Sequence, residues 1–243
     1  IIGIYLRDII YFLLAIFIFT CFIKIMEIKS NNYNPKFTSK IKFISEREFD
    51  SKMFRQYFYC GKPKAPFADS FFKGVDVWTP EVRTCTAGGV VGDYSVLAFH
   101  LLDKPENIVN VKKQFINLVN NALNNTKSAL LIGAKQLEDR GVSLPLFEKL
   151  VEEVKKITTP SLFKIHKNKY AESNIGYVSN IDTWFINTTS PKNPKNFFLR
   201  DDILTLDDLL NSFESIKIAP QDKLFIDGKE ITPALCPEIF DLH

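Results

Sequence analysis

Apolar and polar positions along the chain follow two rhythms, one of period two and one of about 3.6, and these predict where strands and helices lie. Val75 and Val77 alternate with Asp76 and Trp78, predicting a strand over Gly74 to Thr79 that Pro80 ends. Ile41-Lys42-Phe43-Ile44 predicts another strand. Behind it, Ser45-Glu46-Arg47-Glu48 opens a short helix running toward Tyr59, closed by Cys60-Gly61-Lys62-Pro63. From Pro105-Glu106 onward, Ile108, Val111, Phe115, Leu118, Val119 and Leu123 recur three or four residues apart, the stripe of an amphipathic helix. Ala129 to Gly133 is a short continuous apolar run, as in a central strand covered on both faces. Ser143-Leu144-Pro145 begins a second helix that reaches Val154, and strands follow at Leu162 to His166, Ile175 to Val178 and Trp184 to Asn187. The expected fold is α/β (α+β), a mixed β-sheet or β-sandwich core flanked by helices.

Residues 82 to 100 form the stretch on which function turns. Two runs of β-branched and apolar residues flank Gly92-Asp93, a two-residue signal for a tight hairpin. Counted out from that turn, Cys85 faces His100. Directly opposed residues share a face of the sheet with Cβ atoms roughly 4.5–5.5 Å apart, so a thiol and an imidazole there come near hydrogen-bond reach. A bulge at Gly88-Gly89 would slip that register. The chemistry follows from ionisation: a free thiol with a pKa of about 8.5 is mostly protonated at neutral pH, and an adjacent imidazole generates the reactive thiolate. Thr84, Thr86 and Ala87 leave the approach to Cys85 open. The amides of Cys85 and Thr86 are candidate donors to an oxyanion, and Thr84 and Thr86 are the neighbouring side-chain candidates. A lone cysteine in a strand is otherwise most often a small buried hydrophobe.

An aliphatic residue shortly before a Cys-Thr pair, with His fifteen positions after the Cys on the next strand, resembles the cysteine–histidine core of the protein glutamine deamidases. These are the catalytic domain of cytotoxic necrotizing factor and, with similar spacing, the chemoreceptor deamidase of bacterial chemotaxis. In this chain the motif reads Val82-Arg83-Thr84-Cys85-Thr86, with Arg83-Thr84 where the toxin branch carries Ser-Gly. The resemblance implies Cys85 as nucleophile, His100 as its base and a protein substrate, in the toxins a host signalling protein. It also implies a backbone carbonyl from an upstream strand to orient the imidazole. Val75 or Val77 would supply that carbonyl, and Asp76 is the side-chain alternative. A cysteine peptidase or transglutaminase would use the same pair, and a membrane-tethered α/β interaction domain would use neither residue.

Composition narrows the rest. The chain has 243 residues, 46% hydrophobic and 24% charged, enough for one large domain with a substantial core. A formal charge of +3 without a basic, aromatic-interleaved stripe argues against a nucleic-acid partner. Cys21, Cys60, Cys85 and Cys236 form no C-x-x-C pair and no disulfide framework, so neither a metal nor a cofactor is expected. Asp201-Asp202 and Asp207-Asp208 invite a metal reading, but Thr205-Leu206-Asp207-Asp208 reads better as a helix cap. His166, on a predicted strand, reads as an exposed residue rather than a second acid or base.

Three segments are expected: residues 1–25, residues 26–64 as a polar leader, and residues 65–243 as a single α/β catalytic-type domain. Within the first, residues 9–23 are uncharged and strongly apolar, slightly short for the roughly 20 residues a spanning helix needs. Membrane segment and over-extended start both fit that run. The protein would be a secreted effector or membrane-anchored in the first case, and cytoplasmic in the second.

Overall fold

The computed structural model describes residues 39–52, 54, 56–57, 71–73, 76–93, 95–111, 115, 117, 119, 125–133, 143–165, 170–191 and 200–240. The apolar run 9–23, Cys21, Cys60, Val75 and His166 lie outside these residues. Among the described residues no helix is long and apolar enough to cross a membrane. The chain divides into units Ile1–Phe37 and Thr38–His243, and everything described belongs to the second.

Two mixed sheets carry the unit, with strands numbered along the chain. The first runs in the order β14 (Lys229–Ile231), β13 (Lys223–Ile226), β1 (Lys40–Phe43), β10 (Thr183–Pro191), β9 (Glu172–Val178), β4 (Val77–Val82) and β2 (Gln56–Tyr57), with β11 (Arg200–Asp202) on β10. The second runs β12 (Phe213–Lys217), β8 (Ser161–Ile165), β7 (Ser128–Gly133), β5 (Thr86–Val91), β6 (Ser95–Leu101) and β3 (Phe71–Lys73). Ile41, Phe43, Val77, Ile175, Trp184 and Ile186 of the first sheet share one core with Ala87, Val91, Ala98, Ile132 and Phe163 of the second. That is a β-sandwich, and it bears out the expected α+β class.

Alternation along β5 decides what each face meets. Ala87 and Val91 look into the sandwich, while Val90 joins Leu97, Phe99, Leu101 and Leu131 under a layer of helices. Those helices are α2 (Pro105–Asn110), followed by buried Val111, Phe115 and Val119, and α3 (Ser143–Lys155), which buries Leu146, Phe147, Leu150 and Val154. Covered on both sides, β5 and β7 are buried at every position, which is why β7 reads as an unbroken apolar run. Helix α1 (Glu46–Ser51) seats Phe49 on Phe185 across the outer face of the first sheet, and stops well short of the predicted Tyr59. Helix α4 (Leu206–Ser212) begins at Thr205, whose hydroxyl accepts from the Asp208 amide at 3.1 Å, so these acids serve as a cap. Asp202 is likewise engaged locally, accepting from Asn187 Nδ2 at 2.7 Å and the Glu46 amide at 3.0 Å.

Neither Gly88 nor Gly89 hosts a bulge; β5 pairs with β6 and β7 in unbroken register. Close packing explains them. A Cβ on Gly88, where φ is +146°, would lie 1.9 Å from the Leu130 carbonyl oxygen, and one on Gly89 would lie 2.9 Å from Trp184 Cη2 reaching across from the other sheet.

At one end of the sandwich, polar side chains fasten the sheets together. Asp222, Ser39 and Asp182 immediately precede the neighbouring parallel strands β13, β1 and β10. Ser161 Oγ donates to Asp222 Oδ2 at 2.6 Å, Ser39 and Ser128 share a 2.6 Å hydroxyl pair, and Tyr177 donates to Asp182 at 2.7 Å. Burial pushes the Asp222 carboxyl up to about 7, with the Asp182 carboxylate adding to the rise and the Ser161 hydrogen bond opposing it.

Candidate active site

The opposite end of the sandwich holds the predicted pair, in a different register from the one expected. Ala87, not Cys85, pairs with His100, and Val91 pairs with Val96. The reversal therefore falls one residue later than Gly92-Asp93. Asp93 lies in the resulting loop, its carboxylate bound by Asn125 Nδ2 at 2.9 Å and Lys127 Nζ at 3.2 Å. Cys85 thus sits two residues upstream of the partner of His100. It lies on the bend just before β5, off the ladder, and does not stand opposite His100.

Cys85 lies in a bend, residues 83–85, that leaves β4 after Val82 and enters β5 at Thr86, so three residues carry the chain from one sheet to the other. Its main chain is pressed against β7. Gly133 has φ +118°, and a Cβ there would stand 2.2 Å from the Cys85 carbonyl oxygen, so only glycine permits this seat. Cys85 and Cys236 are both thiols, not half-cystines. Cys85 is a buried residue, 9% exposed counting backbone and side chain together.

His100, 1% exposed, turns into the sandwich, where its Nδ1 lies 2.7 Å from Thr79 Oγ1. This is the group that orients the imidazole. It comes from the expected upstream strand, but from a side chain, three residues beyond Asp76. Asp76 is at the far end of β4 and accepts from the Ser179 amide at 3.0 Å, so it does not serve His100. Val77 is a core residue with its side chain wholly buried. Burial lowers the His100 pKa from 6.5 to about 4, and the imidazole is neutral at neutral pH. A carboxylate in the place of Thr79 would have opposed that shift; a hydroxyl leaves the ring neutral while fixing its plane.

The oxyanion candidates separate. Thr86 pairs with Leu101 and Gly133, and by strand parity its side chain takes the helix-covered face, away from His100. Its fully buried hydroxyl has no hydrogen-bond partner among the described residues. Only its backbone remains a candidate donor. Thr84 is half-buried on the bend.

Thr79 was not among the residues singled out in the sequence as a partner of His100. Its signal was present: it shares the inward parity of Val77, and a hydroxyl at an inward position needs a partner. No group of three metal-ligating side chains occurs among the described residues. Comparison with protein-family models and with curated proteins returns no match.

Proposed function

We propose that the chain is a thiol hydrolase, a protein glutamine deamidase that converts a glutamine side chain of a target protein to glutamate. The observation that carries this reading is the 2.7 Å bond from Thr79 to His100 beside a bend that presents Cys85. With Nδ1–H donating to Thr79 Oγ1, the lone pair lies on Nε2, the tautomer that accepts a proton from a thiol. The imidazole is neutral at neutral pH, but the lowering to about 4 makes it a weak acceptor for a thiol proton, so His100 must gain basicity when a thiolate forms beside it.

Burial favours an amide on a side chain over one in a main chain. A peptide bond, flanked by its own backbone, needs an open cleft to meet a nucleophile. A glutamine carboxamide stands on an unbranched arm and reaches a buried residue more readily. In the reaction the Cys85 sulfur bonds to the carboxamide carbon and its proton passes to His100 Nε2. The tetrahedral oxyanion is held by backbone donors at Cys85 and Thr86. His100 returns the proton to the departing ammonia, leaving a thioester. His100 then takes a proton from water, whose oxygen attacks the thioester carbon, and the proton goes back to sulfur as glutamate leaves. By resemblance to the toxin branch, the target is a host signalling protein and the chain a bacterial effector.

The test incubates the full chain with an unfolded, glutamine-rich protein and follows ammonia release together with intact mass. Ammonia and a rise of about 1 Da per site, both lost in Cys85→Ser and His100→Gln, are the expected results. Cut chains would indicate a peptidase and cross-linked chains a transglutaminase. No product with any substrate, together with sluggish alkylation of Cys85, would leave a non-catalytic domain.

A further inference from the structure

The bend that bears Cys85 is gripped from both sheets. On one side the Cys85 carbonyl rests on Gly133 of β7. On the other, Arg83 Nε donates to Glu172 Oε2 at 2.6 Å, with Nη2 2.5 Å from the same oxygen. The second oxygen of Glu172 pairs with Arg200 Nη1. Arg200 is anchored in turn, donating through Nη2 to the Tyr170 carbonyl at 2.9 Å and through Nη1 to Thr189 Oγ1 at 3.5 Å. Glu172 and Arg200 are largely covered, 18% and 22% exposed, while Arg83 is 51% exposed.

One carboxylate thus holds two guanidiniums, one rooted in the first sheet and one on the bend two residues from the thiol. An exposed ion pair adds little to global stability, because solvent screens it. Its effect here is positional. Only three residues separate β4 from β5, so fixing the Arg83 end leaves the sulfur little room to move relative to an imidazole that Thr79 has already fixed.

We propose that Glu172, clamped by Arg200, is a positioning residue that holds Arg83 and through it keeps Cys85 in register with His100. The inference rests on the reading of Cys85 and His100 as a working pair, and the experiment separates the two. Alkylation of Cys85 by iodoacetamide in the folded full chain, followed by mass spectrometry across about pH 5 to 9, needs no substrate. If His100 activates the sulfur, wild type reacts at about pH 6.5 far faster than the small thiolate fraction of an ordinary thiol allows, and His100→Gln loses that advantage.

Glu172→Gln and Arg83→Gln are expected to slow the reaction about tenfold or more at that pH, with rates then following an ordinary thiol near 8.5. Melting temperatures should stay within about 3 °C of wild type. Arg83→Lys, which keeps the charge but not the fork, should recover part of the rate. A wild-type profile that already follows an ordinary thiol overturns the pairing and the clamp with it. A wild-type profile shifted by His100 but unchanged in Glu172→Gln and Arg83→Gln overturns the positioning role alone.

Discussion

Replacing His100 with Gln isolates the imidazole's share of the fold's stability and makes its pH dependence measurable. Burial lowers the folded-state pKa to about 4 from the ordinary imidazole value of 6.5. The native state therefore binds fewer protons than the unfolded chain between those values. The associated stability is fully present above 6.5 and is lost as pH falls toward 4. The lowering corresponds to about 3 kcal/mol in full, most of it lost by pH 4.5. Asp222 works in the opposite sense. Its raised pKa favours the folded state at low pH, and that contribution fades as pH rises through about 7. Wild type alone is thus a poor readout, and the difference between wild type and His100→Gln is the quantity to follow. Urea unfolding of both chains at about pH 7.5, 6, 5 and 4.5 should show the gap changing by about 2 kcal/mol or more in favour of the variant as pH falls. Parallel curves over that range would mean that the imidazole is hydrated or charged in the folded protein, and the account of a neutral base would fail.

Thr79→Val keeps the shape but removes the hydroxyl, so Cys85 alkylation and deamidation should fall about tenfold or more while Thr79→Ser retains most of both; equal rates in the two variants would refute the orienting role. Gly133→Ala should damage the bend directly, since its Cβ would overlap the Cys85 carbonyl, with activity and folding both impaired in a melting and alkylation assay. Gly89→Ala should cost about 1–3 kcal/mol by chemical denaturation, as its Cβ would crowd Trp184 and the Leu97 carbonyl; an unchanged midpoint would contradict the packing. Asp222→Asn removes a titration, so its stability relative to wild type should rise as pH climbs from 4 to 8, by up to a few kcal/mol in urea unfolding.

Local chemistry was legible in the residues. Asp227-Gly228 turns a two-residue hairpin with φ of +47° and +75°, as its sequence demands, and the apolar run at Ala129 to Gly133 lies in a fully covered strand. Contacts between distant segments were not. The loop between β5 and β6 is held through Asp93 by Asn125 and Lys127, more than thirty residues further along the chain. Pro80 was expected to stop its strand, yet β4 continues through it to Val82. A register shift between Thr79 and Val82, with φ of +56° at Glu81, absorbs a residue that cannot donate to the ladder. Thr79 looks like any β-branched strand residue until the second sheet brings His100 over it. The direct opposition of Cys85 and His100 that the Gly92-Asp93 count predicted is not what forms; Ala87 takes that place.

A cysteine buried on a bend is also a filter. Disulfide exchange requires a bulky partner to approach along the axis of the bond being broken, whereas a slim carboxamide or a small alkylating agent needs only a narrow lane. Burial of Cys85 would thereby shield its thiol from capping by glutathione-sized oxidants. Any covalent inhibitor would need its reactive carbon at the tip of a slender, unbranched stem.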